Sequence, residues 1–297
     1  MLPLKSKIAM VTGASRGIGR GIAVVLGECG ATVYVTGRSR RGSPAAAGVP
    51  GTIDDTADEV SRRGGQGIPA ECDHRDSKQV DALFARVREE HGRLDLLVNN
   101  AWGGYEGHSG GLRPRNFWDA PLSLWDSMIE GGLKTHLLAT YFGIPLMLPH
   151  KSGLIISTIA WDHDKYIGSF YDIAKHSIAR MLWGLALELK PHGIATVALA
   201  PGFTRTERVL AAFKITEDQW RGVPYLKKTE SPEYAGRAVA ALAQDKRVLR
   251  RSGKAFMTGE LAREYGFKDV DGRRPSPFRV QPFQKILEQM NKSAARA

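Results

Sequence analysis

Residues 12–19 read TGASRGIG, and this octapeptide limits the possible folds more than any other stretch of the 297-residue chain. It ends an apolar run, KIAMVTG at 7–13, and opens a segment in which Ile18, Ile22, Val25 and Leu26 recur at helical spacing. A strand, a glycine turn and a helix in direct succession let a ligand approach the backbone closely. The helix start then presents unpaired N–H groups and a positive dipole end, a place for a diphosphate. Gly13, Ser15, Arg16, Gly17, Ile18 and Gly19 are the residues this reading puts against such a ligand.

The same rhythm continues. ATVYVTG (31–37) reads as a β-branched strand, TIDDTADEVSRR as a helix capped at its Thr/Asp start, and GQGIPAEC as a short strand. SKQVDALFARVREEHG is amphipathic through Val80, Leu83, Phe84 and Val87, and RLDLLVNN returns to a strand. A long helix is expected from about Ser123 to Leu148, then strand GLIIST, a helix over FYDIAKHSIARMLWGLALEL, and strand GIATVALAPG. SPEYAGRAVAALAQD is a further helix and KAFMTG a last strand. Strands alternating with helices predict an α/β protein: one doubly wound Rossmann domain with a mainly parallel seven-stranded sheet and helices on both faces. The domain is placed at 1–265, with an insertion at about 203–230, and 266–297 reads as a polar C-terminal extension.

Composition removes other classes. No run approaches the roughly 20 apolar residues of a membrane helix, and the start of the chain lacks a signal-peptide pattern, so a cytoplasmic protein without a membrane span is expected. Cys29 and Cys72 stand alone, without metal or redox spacing, and read as reduced packing residues. The net charge of +11 leaves nucleic acid, an anionic surface or an anionic small molecule as partners. KRVLRRSGK (246–254) has no interleaved aromatics and reads as a solvated surface.

The end of the second strand narrows that choice. An NAD site places a carboxylate there for the ribose 2′-hydroxyl, but this chain has Thr36, Gly37 and Arg38. Arg38, with Arg16 from the glycine turn, suits a 2′-phosphate, so NADP(H) is preferred over NAD(H) and nucleic acid is not expected. Arg40 and Arg41 either steer the same phosphate or lie in a solvated loop.

Tyr171 and Lys175, as YDIAK, lie four residues apart and share a helix face. Together with TGASRGIG, NNA (99–101) and PGFTRT (201–206), in that order, they make residues 5 to 265 resemble the short-chain dehydrogenase/reductase family. The resemblance implies hydride transfer between a nicotinamide and a carbonyl or secondary alcohol, with Tyr171 as acid/base. Bringing a phenol from a pKa near 10 towards 7 takes roughly 4 kcal/mol, which Lys175 and the nicotinamide cation supply. It also implies that Lys175 bonds the ribose, that Asp73 holds the adenine, that Asn99 and Ala101 support the cofactor, and that Pro201, Gly202, Thr204 and Thr206 line it. The substrate-orienting serine falls on Thr158 or Ser157, or has no direct counterpart.

Two departures stand out. Gly132 occupies the place of the family's relay Asn, leaving a space or exposed backbone carbonyls to hold a water in place of the amide, and Trp102 replaces Gly after NNA. With GELAREYGFKDVDGRRP they look like the subgroup typified by dehydrogenase/reductase family member 1. His163 between two aspartates reads as loop, no metal site is expected, and His136 is an outside candidate for a polar pocket residue. Ile178, Met181, Leu182, Leu185 and Leu189 point to a homodimer or homotetramer. Aromatics in the loops at 102–120 and 203–230 suit an apolar substrate or cap the core. The alternative function is an NADPH-binding regulator with little turnover.

Overall fold

The computed structural model describes residues 2–43, 49–106, 117–160 and 168–279. In chain order the elements are β1 (Ile8–Val11), α1 (Gly17–Glu28), β2 (Thr32–Gly37), α2 (Ile53–Arg62), β3 (Gln66–Glu71), α3 (Ser77–His91), β4 (Leu96–Asn99), α4 (Leu122–Met128), α5 (Lys134–Gly143), β5 (Gly153–Thr158), α6 (Ser169–Leu189), β6 (Ile194–Ala200), α7 (Glu207–Ala212), α8 (Pro232–Gln244), β7 (Lys254–Met257) and α9 (Thr258–Tyr265). The strands form one seven-stranded sheet in the order β3-β2-β1-β4-β5-β6-β7, and every pairing is parallel. Pro69, which cannot donate to a ladder, sits on the edge strand β3. Chain direction across the sheet reverses between β1 and β4, which opens a crevice at their C-terminal ends.

Alternation along each strand builds two cores. Ala9, Val11, Val33, Val35, Leu96 and Val98 pack under α1, α2 and α8, while Ile8, Met10, Tyr34 and Leu97 pack under α3, α5 and α6. Ile178, Leu182 and Leu189 of α6 belong to the second core, at most 5% exposed. The apolar residues that α5 and α6 leave outside are a different set, including Leu137, Tyr141, Trp183 and Leu187. The long helix expected from Ser123 to Leu148 is interrupted. A wide π turn, Ile129–Leu133, separates α4 from α5, and the Gly131 carbonyl accepts from Gly103 N at 2.6 Å. Past Gly266 the chain returns to the domain: the Asp269 carboxylate accepts from Ser231 N at 2.9 Å, and Tyr234 Oη donates to the Pro275 carbonyl at 3.2 Å.

Candidate active site

The C-terminal ends of β1 to β4 and the first turn of α1 enclose a cleft of about 440 Å³. Gly13, Ser15, Arg16, Gly17 and Ile18 form its floor, and Arg38, Ser39 and Asp73 close the end beyond β2 and β3. Close approach explains the glycines. A Cβ on Gly13 would lie 2.7 Å from Ala101 Cα, and one on Gly19 would lie 2.3 Å from the Gly13 carbonyl oxygen. Backbone N–H groups at the head of α1 are thus bare of side chains, as a phosphate cradle requires. Gly17 N already donates to Glu207 Oε2 at 2.8 Å, so a carboxylate 190 residues away in sequence holds the positive helix end.

The arginines divide. Arg16 Nη2 donates to Ser39 Oγ at 2.8 Å and to the Gly51 carbonyl at 2.9 Å, while its buried Nε has no partner among the described residues. Arg38 pairs with Glu106 and lies 3.9 Å from Asp73. Arg40 is bound to Asp54 at 2.8 Å, and Arg41 to Asp55 and Asp58 at 2.7 Å. Arg40 and Arg41 are therefore tied to the first two turns of α2 and do not gather with Arg16 and Arg38. Asp73 also takes Arg75 at 2.5 Å, and that bond holds its carboxyl below the usual range.

Strand alternation places the next groups. Asn99 is fully buried below the cleft, its Nδ2 donating to Thr140 Oγ1 at 2.8 Å and Ser157 Oγ at 3.3 Å. Ser157 accordingly faces inward. Asn100 lines the cleft instead, bonding the Thr12 and Gly13 carbonyls at 3.1 Å each. The NNA doublet carried that signal, since consecutive residues at a strand end face opposite ways. Thr158 reaches the Asn99 carbonyl and Asn100 Oδ1, both at 3.5 Å. Among the later motif residues Thr206 lines the cleft, and Pro201, Gly202 and Thr204 do not. Gly202 N donates to Glu230 Oε1 at 2.9 Å, and burial pushes the Glu230 carboxyl up to about 8. Arg205, 2% exposed, donates to the Thr229 carbonyl and stacks on Trp220 at 4.0 Å. Trp220 is thus a buried anchor of the 203–230 segment. Neither Glu230 nor Arg205 had a local signal in the sequence.

Tyr171 and Lys175 share the inner face of α6. Lys175 Nζ donates to the Thr158 carbonyl at 3.2 Å and lies 3.7 Å from the centre of the Trp102 ring. Burial brings its pKa down to about 7, and the indole face opposes this by favouring the ammonium. Tyr171 packs edge-on to Trp102 at 5.5 Å and stacks on Tyr105 at 6.0 Å; burial, then Asp172, pushes its phenol above the usual value. Trp102 fills the place below Gly132, where a Cβ would fall 2.6 Å from Cζ3 of the indole. The space expected beside Gly132 is filled by a side chain, and the Gly132 carbonyl accepts from Thr135 Oγ1 at 2.8 Å.

His163 lies outside the described residues. Among the described residues no group of three or more His, Cys, Asp or Glu is placed to hold a metal, and no helix is long and apolar enough to cross a membrane.

The family model for short chain dehydrogenase matches residues 7–214. The chain belongs to the short-chain dehydrogenase/reductase family. It is an oxidoreductase of that family, and its parallel Rossmann sheet is the family's scaffold. It is similar to dehydrogenase/reductase SDR family member 1 of Mus musculus, 39% identical over 278 residues covering 91% of this chain and 85% of the relative. The Homo sapiens protein of the same name is 38% identical over 285 residues, with the same coverage. A crystal structure of a short chain dehydrogenase from Mycobacterium thermoresistibile superposes with a TM-score of 0.76 over 92% of each chain, at 24% identity, a likeness of fold alone.

Proposed function

We propose that this short-chain dehydrogenase is an NADP(H)-dependent carbonyl reductase or alcohol dehydrogenase. The observation that carries the cofactor preference is the far end of the cleft, where Arg16, Arg38 and Ser39 meet and β2 ends without a carboxylate. Arg38 is held by Glu106 in a pair more than a third exposed on the Glu106 side. Such a pair contributes about 0–1 kcal/mol, so a 2′-phosphate displaces it at small cost. Arg16, Arg38 and Ser39 hold that phosphate, the glycine turn holds the diphosphate, Asp73 stands by the adenine, and Asn100 and Ala101 keep the turn in shape. Bound there, the nicotinamide supplies or accepts the hydride.

The chain's own residues manage the proton. Tyr171 Oη donates to the carbonyl oxygen of an apolar substrate as that oxygen becomes an alcohol. Lys175, held by the Thr158 carbonyl and the indole of Trp102, stabilises the tyrosinate that remains, and the Thr158 hydroxyl orients the carbonyl. Titrating the protein's fluorescence with NADPH and NADH, then following NADPH oxidation against a panel of carbonyl compounds, tests this reading. Failure to bind NADPH overturns it. Arg38→Asp is expected to exchange the preference towards NADH.

One observation favours the regulatory alternative: Tyr171 and Lys175 stand behind Trp102 and outside the cleft's lining. A Tyr171→Phe variant that loses measurable turnover eliminates it. The apolar outer faces of α5 and α6 support a homo-oligomer, to be read by light scattering, and the unpaired Cys29 and Cys72 suit a reducing, cytoplasmic setting.

A further inference from the structure

We propose that the segment 266–279 is a strap that positions the turn 202–207 against the cleft, with Asp269 and Arg273 as its positioning residues. This rests on the reading of the cleft as a cofactor site. GFKDVDGRRP reads in sequence as part of a polar extension, yet Asp269 is only 4% exposed. Two backbone bonds close Asp269–Arg273 on itself: Asp269 N donates to the Arg273 carbonyl at 2.8 Å, and Gly272 N to the Asp269 carbonyl at 3.0 Å. Gly272, at a φ of 81°, supplies the left-handed residue that so tight a turn needs. Phe267 packs edge-on to Tyr234 at 5.3 Å, and a Cβ on Gly259 would lie 2.5 Å from Pro277 N. The strap is thus seated on α8 before this closed turn and on α9 after it.

The closed turn grips the stretch 227–231. The Asp269 carboxylate accepts from Ser231 N at 2.9 Å and also from Ser231 Oγ. Arg273 donates to the Lys227 carbonyl at 2.5 Å and to the Thr229 carbonyl at 3.1 Å. That stretch in turn holds the cofactor side. Glu230 N donates to the Phe203 carbonyl at 3.1 Å, Arg205 N to the Glu230 carbonyl at 2.9 Å, and Gly202 N to the Glu230 carboxyl. Arg205 and Arg273 share the Thr229 carbonyl and lie 4.0 and 4.7 Å from the centre of the Trp220 ring, while Asp271 offsets their charge. The last link reaches the glycine turn. Thr206 lines the cleft, a Cβ on Gly17 would lie 3.3 Å from its methyl, and the next residue, Glu207, accepts from Gly17 N. Surface loops are ordinarily the least protected part of a fold, and here buried polar ties to a seated tail keep Thr206 and Glu207 in register with the cleft. Losing either strap side chain leaves backbone groups of 227–231 unpaired, and the ladder to 202–205 loosens with them.

The test compares full-length protein with Asp269→Ala, Arg273→Ala, Asp269→Asn and Arg273→Lys, each checked for a cooperative thermal transition. Val87→Ala, in the second core under α3, is the control for lost stability alone. Amide hydrogen exchange at 202–207, read by mass spectrometry without cofactor, should rise about tenfold or more in the alanine variants and keep the parental rate in Val87→Ala, although all three lower Tm. Kd and KM for NADPH should rise about fivefold or more, while kcat at saturating NADPH changes by less than about twofold, because Tyr171 and Lys175 keep their places on α6. Asp269→Asn keeps an acceptor for Ser231 N and should restore most of both readouts. Arg273→Lys, which reaches one carbonyl in place of two, should give an intermediate effect and carries the comparison should an alanine variant fail to fold. Parental exchange at 202–207 in a folded alanine variant overturns the proposal, as does faster exchange with an unchanged Kd for NADPH. A parent protein that binds no NADPH instead sinks the reductase reading, and exchange at 202–207 then still decides whether the strap holds the turn.

Discussion

Trp102 and Gly132 are complementary: a Cβ at 132 would come within 2.6 Å of the Trp102 indole. Read separately in the sequence they are two departures from a family pattern, and in the structure they are one. Restoring the family residue with Gly132→Asn forces side-chain atoms into the indole, and overpacking of this kind costs about 1–3 kcal/mol. Trp102→Gly relieves the clash. A double-mutant cycle by urea denaturation should therefore find the double variant more stable than Gly132→Asn alone, and additive single effects would contradict the packing.

Lys175 gives a pH signature. Its pKa lies near 7 because burial disfavours the ammonium. The ammonium is present below that pH and lost above it, so kcat/KM for carbonyl reduction should fall as pH rises through about 7. Stability runs the other way. An unfolded lysine keeps its proton to about pH 10.4, so between the two values the unfolded chain binds more protons and stability rises with pH. Lys175→Met should flatten that rise in urea midpoints measured from pH 7 to 10.

Glu207 competes for the head of α1, where Gly17 N donates to it at 2.8 Å. Removing its charge leaves the helix end to an incoming phosphate. Glu207→Gln should bind NADPH about two- to fivefold more tightly, which corresponds to the 0.3–1 kcal/mol of a charge at a helix terminus. Fluorescence titration at low ionic strength measures it, and weaker binding would show that Glu207 assists the cofactor.

Glu230 keeps a proton to about pH 8 because of burial, against 4.5 for an exposed glutamate. Between those values the folded chain binds a proton that the unfolded chain has released, so stability falls as pH rises from 4.5 to 8, by up to about 1.4 kcal/mol per pH unit. Glu230→Gln retains an acceptor for Gly202 N and removes this loss. Its Tm should match the parent at low pH and exceed it at pH 8.

Local pattern determined the sheet, the glycine turn and the Tyr171–Lys175 pair, because each depends on spacing within one element: period two in strands, 3.6 in helices, a turn of a few residues. The NNA and PGFTRT segments were legible as motifs, but their individual side chains were not. Asn99 bonds Thr140 and Ser157 below the cleft while Asn100 lines it, and of the second motif only Thr206 reaches the cleft. The phosphate-end arginines divided in the same way, since Arg40 and Arg41 found carboxylates on α2 that composition could not assign to them.

What the sequence by itself determined, then, was the α/β scaffold, the family and the residues that face one another across a single turn or helix. Tertiary structure alone decided the pairs far apart in the chain: Glu207 on Gly17, Glu230 on Gly202, and Trp102 seated at Gly132 over Lys175. The physical reason is that a local period fixes which way a side chain points, whereas its partner, its burial and hence its charge state depend on which elements the folded sheet brings against it.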